Sequence, residues 1–289
     1  MMNPKKMFSL ILCLVMVLAA FIPAAHANEL DDIKAAGVLT VATSPDFSPM
    51  EFVDSTKTGQ DQYVGFDITL AKFIADYLGV ALEIQPMSFD ACMTAVAMDS
   101  VDMSISGFSK TESRAENFEL SDFYYTDNDP DDPENQNESK QVVLIRVADA
   151  DKYPDAASLA GKEVGAQNAS LQAMLVEEQL PDSKLQIIGE IGLGVMELQS
   201  GNIEAMAVAW GNGKQIIANN PDLMIPDWEF EVSDESKYNV VMMHKGDVAL
   251  LAAVNEALAI AHENGYYSGW YQDALDLAAS EGALEVSVQ

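Results

Sequence analysis

The chain has 289 residues and sets 46 Asp and Glu against 15 Lys and Arg, a formal net charge of −31. At roughly 100–200 residues per domain the length suggests two domains, and 49% hydrophobic residues with 8% aromatics argue against wholesale disorder. The acidity argues against a nucleic-acid partner, and two cysteines, Cys13 and Cys92, exclude a disulfide scaffold or a cysteine-rich metal site.

Lys5 and Lys6 precede an apolar run over residues 7–22, Pro23 ends it, and Ala25-His26-Ala27 supplies a small-x-small cleavage pattern. Residues 1–27 therefore read as a signal segment for export, cleaved near Ala27. The run, about 16 residues, is shorter than the roughly 20 of a comfortable bilayer span. A retained anchor is the alternative; a lipid-anchored Cys13 is opposed by bulky Leu12 before it. Cys92 is then the only mature cysteine, expected to be buried and inert on a helix.

From Asn28 the chain alternates short β-like runs with amphipathic helical stretches, the pattern of an α/β protein. Residues 38–42 read as a buried strand. Gly65-Phe66-Asp67 opens a helix with apolar residues at Phe66, Leu70, Phe73, Ile74, Tyr77 and Leu78, stopped by Gly79. Strand 81–85, helix 90–98 and strand 101–106 follow. Thr111 is the expected N-cap of a short helix, with Glu112 in its first turn. Residues 126–138 then hold six acids, two prolines and nothing apolar, which marks a solvated loop or linker. A calcium loop is the alternative, although the glycine and ligand spacing of such a site are missing.

A second unit follows, with strands 141–147, 162–166, 185–189 and 203–209 and helices 170–179 and 195–199. Residues 228–234 form a second connection, 238–244 return to strand character, and helices 247–263 and 266–279 end the chain. The expected architecture is two α/β lobes, 28–125 with 236–289 and 126–235, joined by two crossover segments. A cleft lies between them near the strand ends.

Ser104-Ile-Ser-Gly-Phe-Ser-Lys-Thr-Glu-Ser-Arg114 is the most informative stretch. A strand ends in a Gly/Ser-rich turn, Thr111 caps a helix and Arg114 sits one turn in. Exposed N–H groups, hydroxyls and a fixed guanidinium would together bind a carboxylate, with Arg114 making the bidentate contact. The alternative is a surface arginine beside an ordinary helix start.

That stretch, with residues 39–52, Tyr63-Val-Gly-Phe-Asp67, Gly79, Phe89, Phe118-Glu-Leu-Ser-Asp-Phe-Tyr-Tyr125, Leu159-Ala-Gly-Lys-Glu-Val-Gly-Ala-Gln167, Asn255-Glu-Ala-Leu258 and Glu263-Asn-Gly-Tyr-Tyr267, resembles the family 3 extracellular solute-binding proteins. These are the polar amino-acid receptors of ATP-binding cassette (ABC) importers. The resemblance covers nearly all of the mature chain. It implies a two-lobed Venus-flytrap fold of the type II periplasmic binding proteins, a small-molecule ligand (an amino acid or related carboxylate), a membrane permease as partner and a monomer.

Residue by residue, the resemblance implies aromatic walls at Phe47 and Phe89, for which plain core is the alternative, and a distal contact at Ser44. Gly107 is implied to contact the ligand ammonium. Ser109, Thr111 and Arg114 are implied to hold its carboxylate, and Gln167, Ala169 and Ser170 to form the second-lobe turn. Two departures stand out. Ala209 replaces the family's ammonium-pairing Asp, leaving Asp46 or the face of Trp210 as substitutes, with lobe packing the alternative for Trp210. Ala169 stands where the family prefers Gly. No cofactor or metal is implied. His244 and His262 are the mature chain's only histidines, and no Ser/His/Asp order, Walker loop or His-x-x-x-His pair appears. A dehydratase-like enzyme and a sensor on the same fold are the competing readings.

Overall fold

The computed structural model describes residues 29–124 and 139–288. The expected signal segment and the acidic stretch 126–138 lie outside the described residues. Two five-stranded sheets organise the chain. In the first, Val38–Thr43 lies parallel to Ala81–Pro86 on one side and to Met103–Ser104 on the other. Met242–Met243 and Glu119–Leu120 complete it antiparallel. In the second, Glu163–Gln167 lies parallel between Lys184–Ile188 and Ala205–Ala209. Gln141–Arg146 and Leu223–Met224 extend it antiparallel. Met242–Met243 enters the first sheet only after the second is built, so the chain passes between the lobes twice. A small antiparallel sheet, Asp46–Phe47, Glu51–Val53 and Tyr63–Val64, projects from the first lobe.

Burial explains these strands. Ala205–Ala209 is buried throughout and Gln141–Arg146 at five of six positions, the continuous apolar run of a central strand covered on both faces. Helix Phe66–Leu78 buries Phe66, Leu70, Ile74 and Leu78 on one face, and Gly79 caps it at φ 76° with its N–H on the Ala75 and Asp76 carbonyls. Phe66 is wholly buried among the rings of Tyr124, Tyr267, Trp270 and Tyr271. Gly65 has φ 119°, and a Cβ there would stand 2.3 Å from the Met50 carbonyl oxygen, so the turn into this helix admits glycine alone.

Several elements differ from expectation. The helix expected over 195–199 runs Ile191–Ser200; Gly192 and Gly194 hide its start, and Gly194 packs where a Cβ would lie 2.6 Å from Met206. Helix Trp210–Asn219 was not anticipated, because Gly211 and Gly213 lower its local propensity. Strands expected over 101–106 and 238–244 pair regularly only at Met103–Ser104 and Met242–Met243. Beyond them the chain leaves the sheet at Ser106, and Asn239 makes a lone bridge to Ser109. Among the described residues no helix is long and apolar enough to cross a membrane.

Candidate functional site

A cavity between the two sheets is lined from both lobes. Ser44, Asp46, Phe47, Phe89, Ser106, Gly107, Ser109 and Arg114 come from the first, and Gln167, Ser170, Leu171 and Gln172 from the second. Ser44 and Ser106 follow parallel strands of the first sheet and Gln167 ends one of the second, the carboxyl ends at which open α/β sheets bind ligands. An adjoining hollow shares Phe47, Gly107, Ser109 and Gln172 and adds Ala209, Asn212 and Lys237. A larger groove of about 1010 Å³ runs between the last helix and helix Phe66–Leu78. It is open and lined by the first lobe only.

Arg114 is the centre of the cavity's charge. Helix Glu112–Asn117 carries it, and the capping Thr111 hydroxyl accepts its N–H at 3.2 Å. The residue is only 5% exposed. Its guanidinium donates to the Ser109 carbonyl at 2.6 Å and, across the cleft, to the Ala169 carbonyl at 3.1 Å. The rings of Phe89 and Phe108 lie 5.6 and 5.3 Å from it. Burial lowers its pKa to about 10, which leaves it charged at neutral pH. The closest pairing its neighbours offer is to neutral carbonyls and ring faces; among the described residues no carboxylate forms an ion pair with it.

Gly107 adopts φ 57°, and a Cβ there would meet the Phe47 ring at 2.8 Å, so glycine is what lets Phe47 close over the loop. Ser170 caps helix Leu171–Gln179, its side chain accepting the Ala173 N–H. Among the described residues Asp46 is the one carboxylate lining the cavity. It accepts the Ser44 hydroxyl at 2.8 Å on one oxygen, and on the other the Ile191 N–H at 2.8 Å and the Gln167 amide at 3.3 Å. With Asn212 donating to the Ser48 carbonyl at 3.1 Å, these bonds join the two lobes.

Nine of the twelve residues singled out in the sequence, Asp46 among them, line this cavity. Thr111, Ala169 and Trp210 do not. The Thr111 hydroxyl is occupied in capping, and Ala169, at φ 59°, offers its carbonyl to Arg114. Trp210 packs against the second-lobe core with Lys214 over its ring at 5.5 Å, and borders a separate hollow beside Trp228. It is the first residue of its helix and follows Ala209 away from the cavity lining. Ser106, Leu171 and Gln172 were missed. Ser106 lay inside the quoted motif; the other two follow the Ser170 cap, and helix phase was the available signal. Neither histidine is among the lining residues. His244 stands instead with Asp99 and Asp247, their ligand atoms within 4.8 Å of one another.

A sequence profile of the bacterial extracellular solute-binding proteins, family 3, matches residues 39–275. The chain is 28% identical over 232 residues to the arginine-binding extracellular protein ArtP of Bacillus subtilis, covering 78% of this chain and 82% of that one. It is 32% identical over 231 residues to the arginine-binding protein ArgT of Corynebacterium glutamicum, covering 80% and 67%. Among solved structures, the amino acid ABC transporter substrate-binding protein AbpA of Streptococcus pneumoniae bound to L-arginine superposes with a TM-score of 0.76 at 35% identity, covering 86% of this chain and 98% of that one.

Proposed function

The chain belongs to the family 3 bacterial extracellular solute-binding proteins, and we propose that it captures an amino acid with a cationic side chain between its lobes and releases it, chemically unchanged, to an ABC permease. The observation that carries this reading is Arg114, a buried guanidinium facing the interlobe cavity without an acidic partner. A buried charge left unpaired is costly, and a ligand carboxylate would neutralise it through two parallel hydrogen bonds. Asp46, the only acid among the described lining residues, supplies the complementary charge for a ligand cation. The arginine-binding relatives support a basic side chain as that cation.

In this reading Ser109 and Arg114 hold the carboxylate, and Phe47 and Phe89 form the walls. Gly107 and Ser106 face the amino group in place of the acid that Ala209 lacks. Gln167 and Ser170 close from the second lobe. The lobes are 28–125 with 236–289 and 126–235, the chain acts as a monomer after cleavage near Ala27, and ligand contacts to both lobes favour the closed form. Calorimetry on protein unfolded and refolded to strip any bound solute tests this. Arginine, lysine and histidine are expected to bind at least tenfold more tightly than glutamate or leucine. Equal or absent binding across such a panel would reject the reading.

A further inference from the structure

Glu51 and Asp67 lie wholly out of water beneath the loop that carries Ser106 and Gly107. Glu51 Oε1 accepts the Ser106 hydroxyl at 2.6 Å, and Ser106 Oγ accepts the Ser44 N–H at 3.0 Å. Asp67 Oδ2 accepts the Gly107 N–H at 2.8 Å and the Tyr124 hydroxyl at 2.9 Å. The remaining oxygens, Glu51 Oε2 and Asp67 Oδ1, are buried with no donor, and the two carboxyl groups are within hydrogen-bonding reach of each other. Two carboxylate oxygens attract only when a proton lies between them. Among the described residues the titratable groups that face the pair are Asp46, Tyr124 and Cys92, and none of them supplies a positive charge.

We propose that Glu51 is protonated in the folded protein and donates from Oε2 to Asp67 Oδ1, so that the pair holds one proton and one negative charge and positions Ser106 and Gly107 for the ligand. The positioning role rests on the binding function proposed above; the shared proton does not. Asp67, already accepting two donors on its other oxygen, is the better anion, and Glu51 the better acid. Burial and the neighbouring carboxylate push Glu51 well above the usual carboxylate range, and burial raises Asp67 to about 6. One consequence reaches the cavity. The Ser106 proton is committed to Glu51, so toward the cavity Ser106 offers a lone pair, an acceptor for an ammonium group.

Infrared spectroscopy of the whole chain labelled with ¹³C at the glutamate side-chain carboxyls tests the proton directly. It is best recorded near about pH 8.5, where Glu29, itself raised by burial to about 7, has ionised. A protonated-acid carbonyl band that shifts with the label and vanishes in Glu51→Gln is expected. Gln can accept from Ser106 and donate to Asp67, so Glu51→Gln is expected to keep arginine affinity within about threefold, whereas Glu51→Leu should weaken it about tenfold or more. Absence of the band in the native chain, or its survival in Glu51→Gln, overturns the shared proton. Native affinity in Glu51→Leu overturns the positioning role. The band is read without any ligand, so failure of the native chain to bind amino acids would reject the proposed function and leave the proton standing.

Discussion

The carboxylate of Asp46 in the first lobe receives the Ile191 N–H of the second at 2.8 Å. Ile191 is the first residue of helix Ile191–Ser200, so an acid from one lobe sits at the positive end of a helix of the other. Gln167 donates to the same oxygen at 3.3 Å. Asp46 thus joins closure of the lobes to the charge of the cavity.

Replacing Asp46 with Ala removes the one oxygen that accepts both the Ile191 N–H and the Gln167 amide across the cleft, and with it the only acid among the described lining residues. The ligand-free variant is expected to have a larger radius of gyration by small-angle scattering than the native protein. Arginine affinity should fall by about tenfold or more, as for a lost charge-assisted hydrogen bond. An unchanged radius of gyration would show that Asp46 does not hold the lobes together.

Arg114→Met separates binding from stability. The guanidinium is desolvated and bonded only to carbonyls, and replacing a buried charge by an apolar residue of similar volume is often neutral or stabilising. The ligand-free melting temperature is expected to stay level or rise, while amino-acid affinity falls about 100-fold or more. A variant that binds like the native chain would remove Arg114 from the site.

How far the sequence revealed this arrangement depended on distance along the chain. The Thr111 cap and the Gly79 stop are decided by neighbouring residues, and both lie where the pattern puts them. Cys92 is buried as expected, its thiol pushed up to about 12 by burial. What was hidden depends on residues far apart. The bond from Asp46 to Ile191 spans 145 positions and that from Arg114 to Ala169 spans 55, and no local pattern records either. Trp210 left two readings open for the same reason: which way it faces is set by the helix that begins there, its glycines concealed that helix, and it takes the packing one.

Ala169 holds φ 59°, a conformation that costs a residue with a Cβ about 1–2 kcal/mol. Glycine would relieve that cost while adding about 0.5–1 kcal/mol of unfolded-state entropy. Ala169→Gly should therefore be stabilising by up to about 1.5 kcal/mol, seen as a higher urea midpoint at unchanged slope. A lower midpoint would mean that the methyl group's packing outweighs the backbone strain.

The buried acids set a pH dependence of definite sign. In the unfolded chain Glu51 and Asp67 titrate at ordinary carboxylate values; in the folded chain Asp67 is raised to about 6 and Glu51 well above its usual range. Above about pH 4 the folded protein therefore keeps protons that the unfolded chain has lost, and stability from these two groups falls as pH rises. Other carboxylates run the opposite way, Asp54 being held down to about 2 chiefly by its bond to Lys57, so the whole-protein profile mixes both signs. Comparing Glu51→Gln with the native chain at each pH isolates the pair. Gln needs no proton to donate to Asp67, so the variant's melting temperature should match the native value near about pH 4 and exceed it increasingly toward about pH 8. A gap that stayed constant across that range would mean that Glu51 titrates alike in both states.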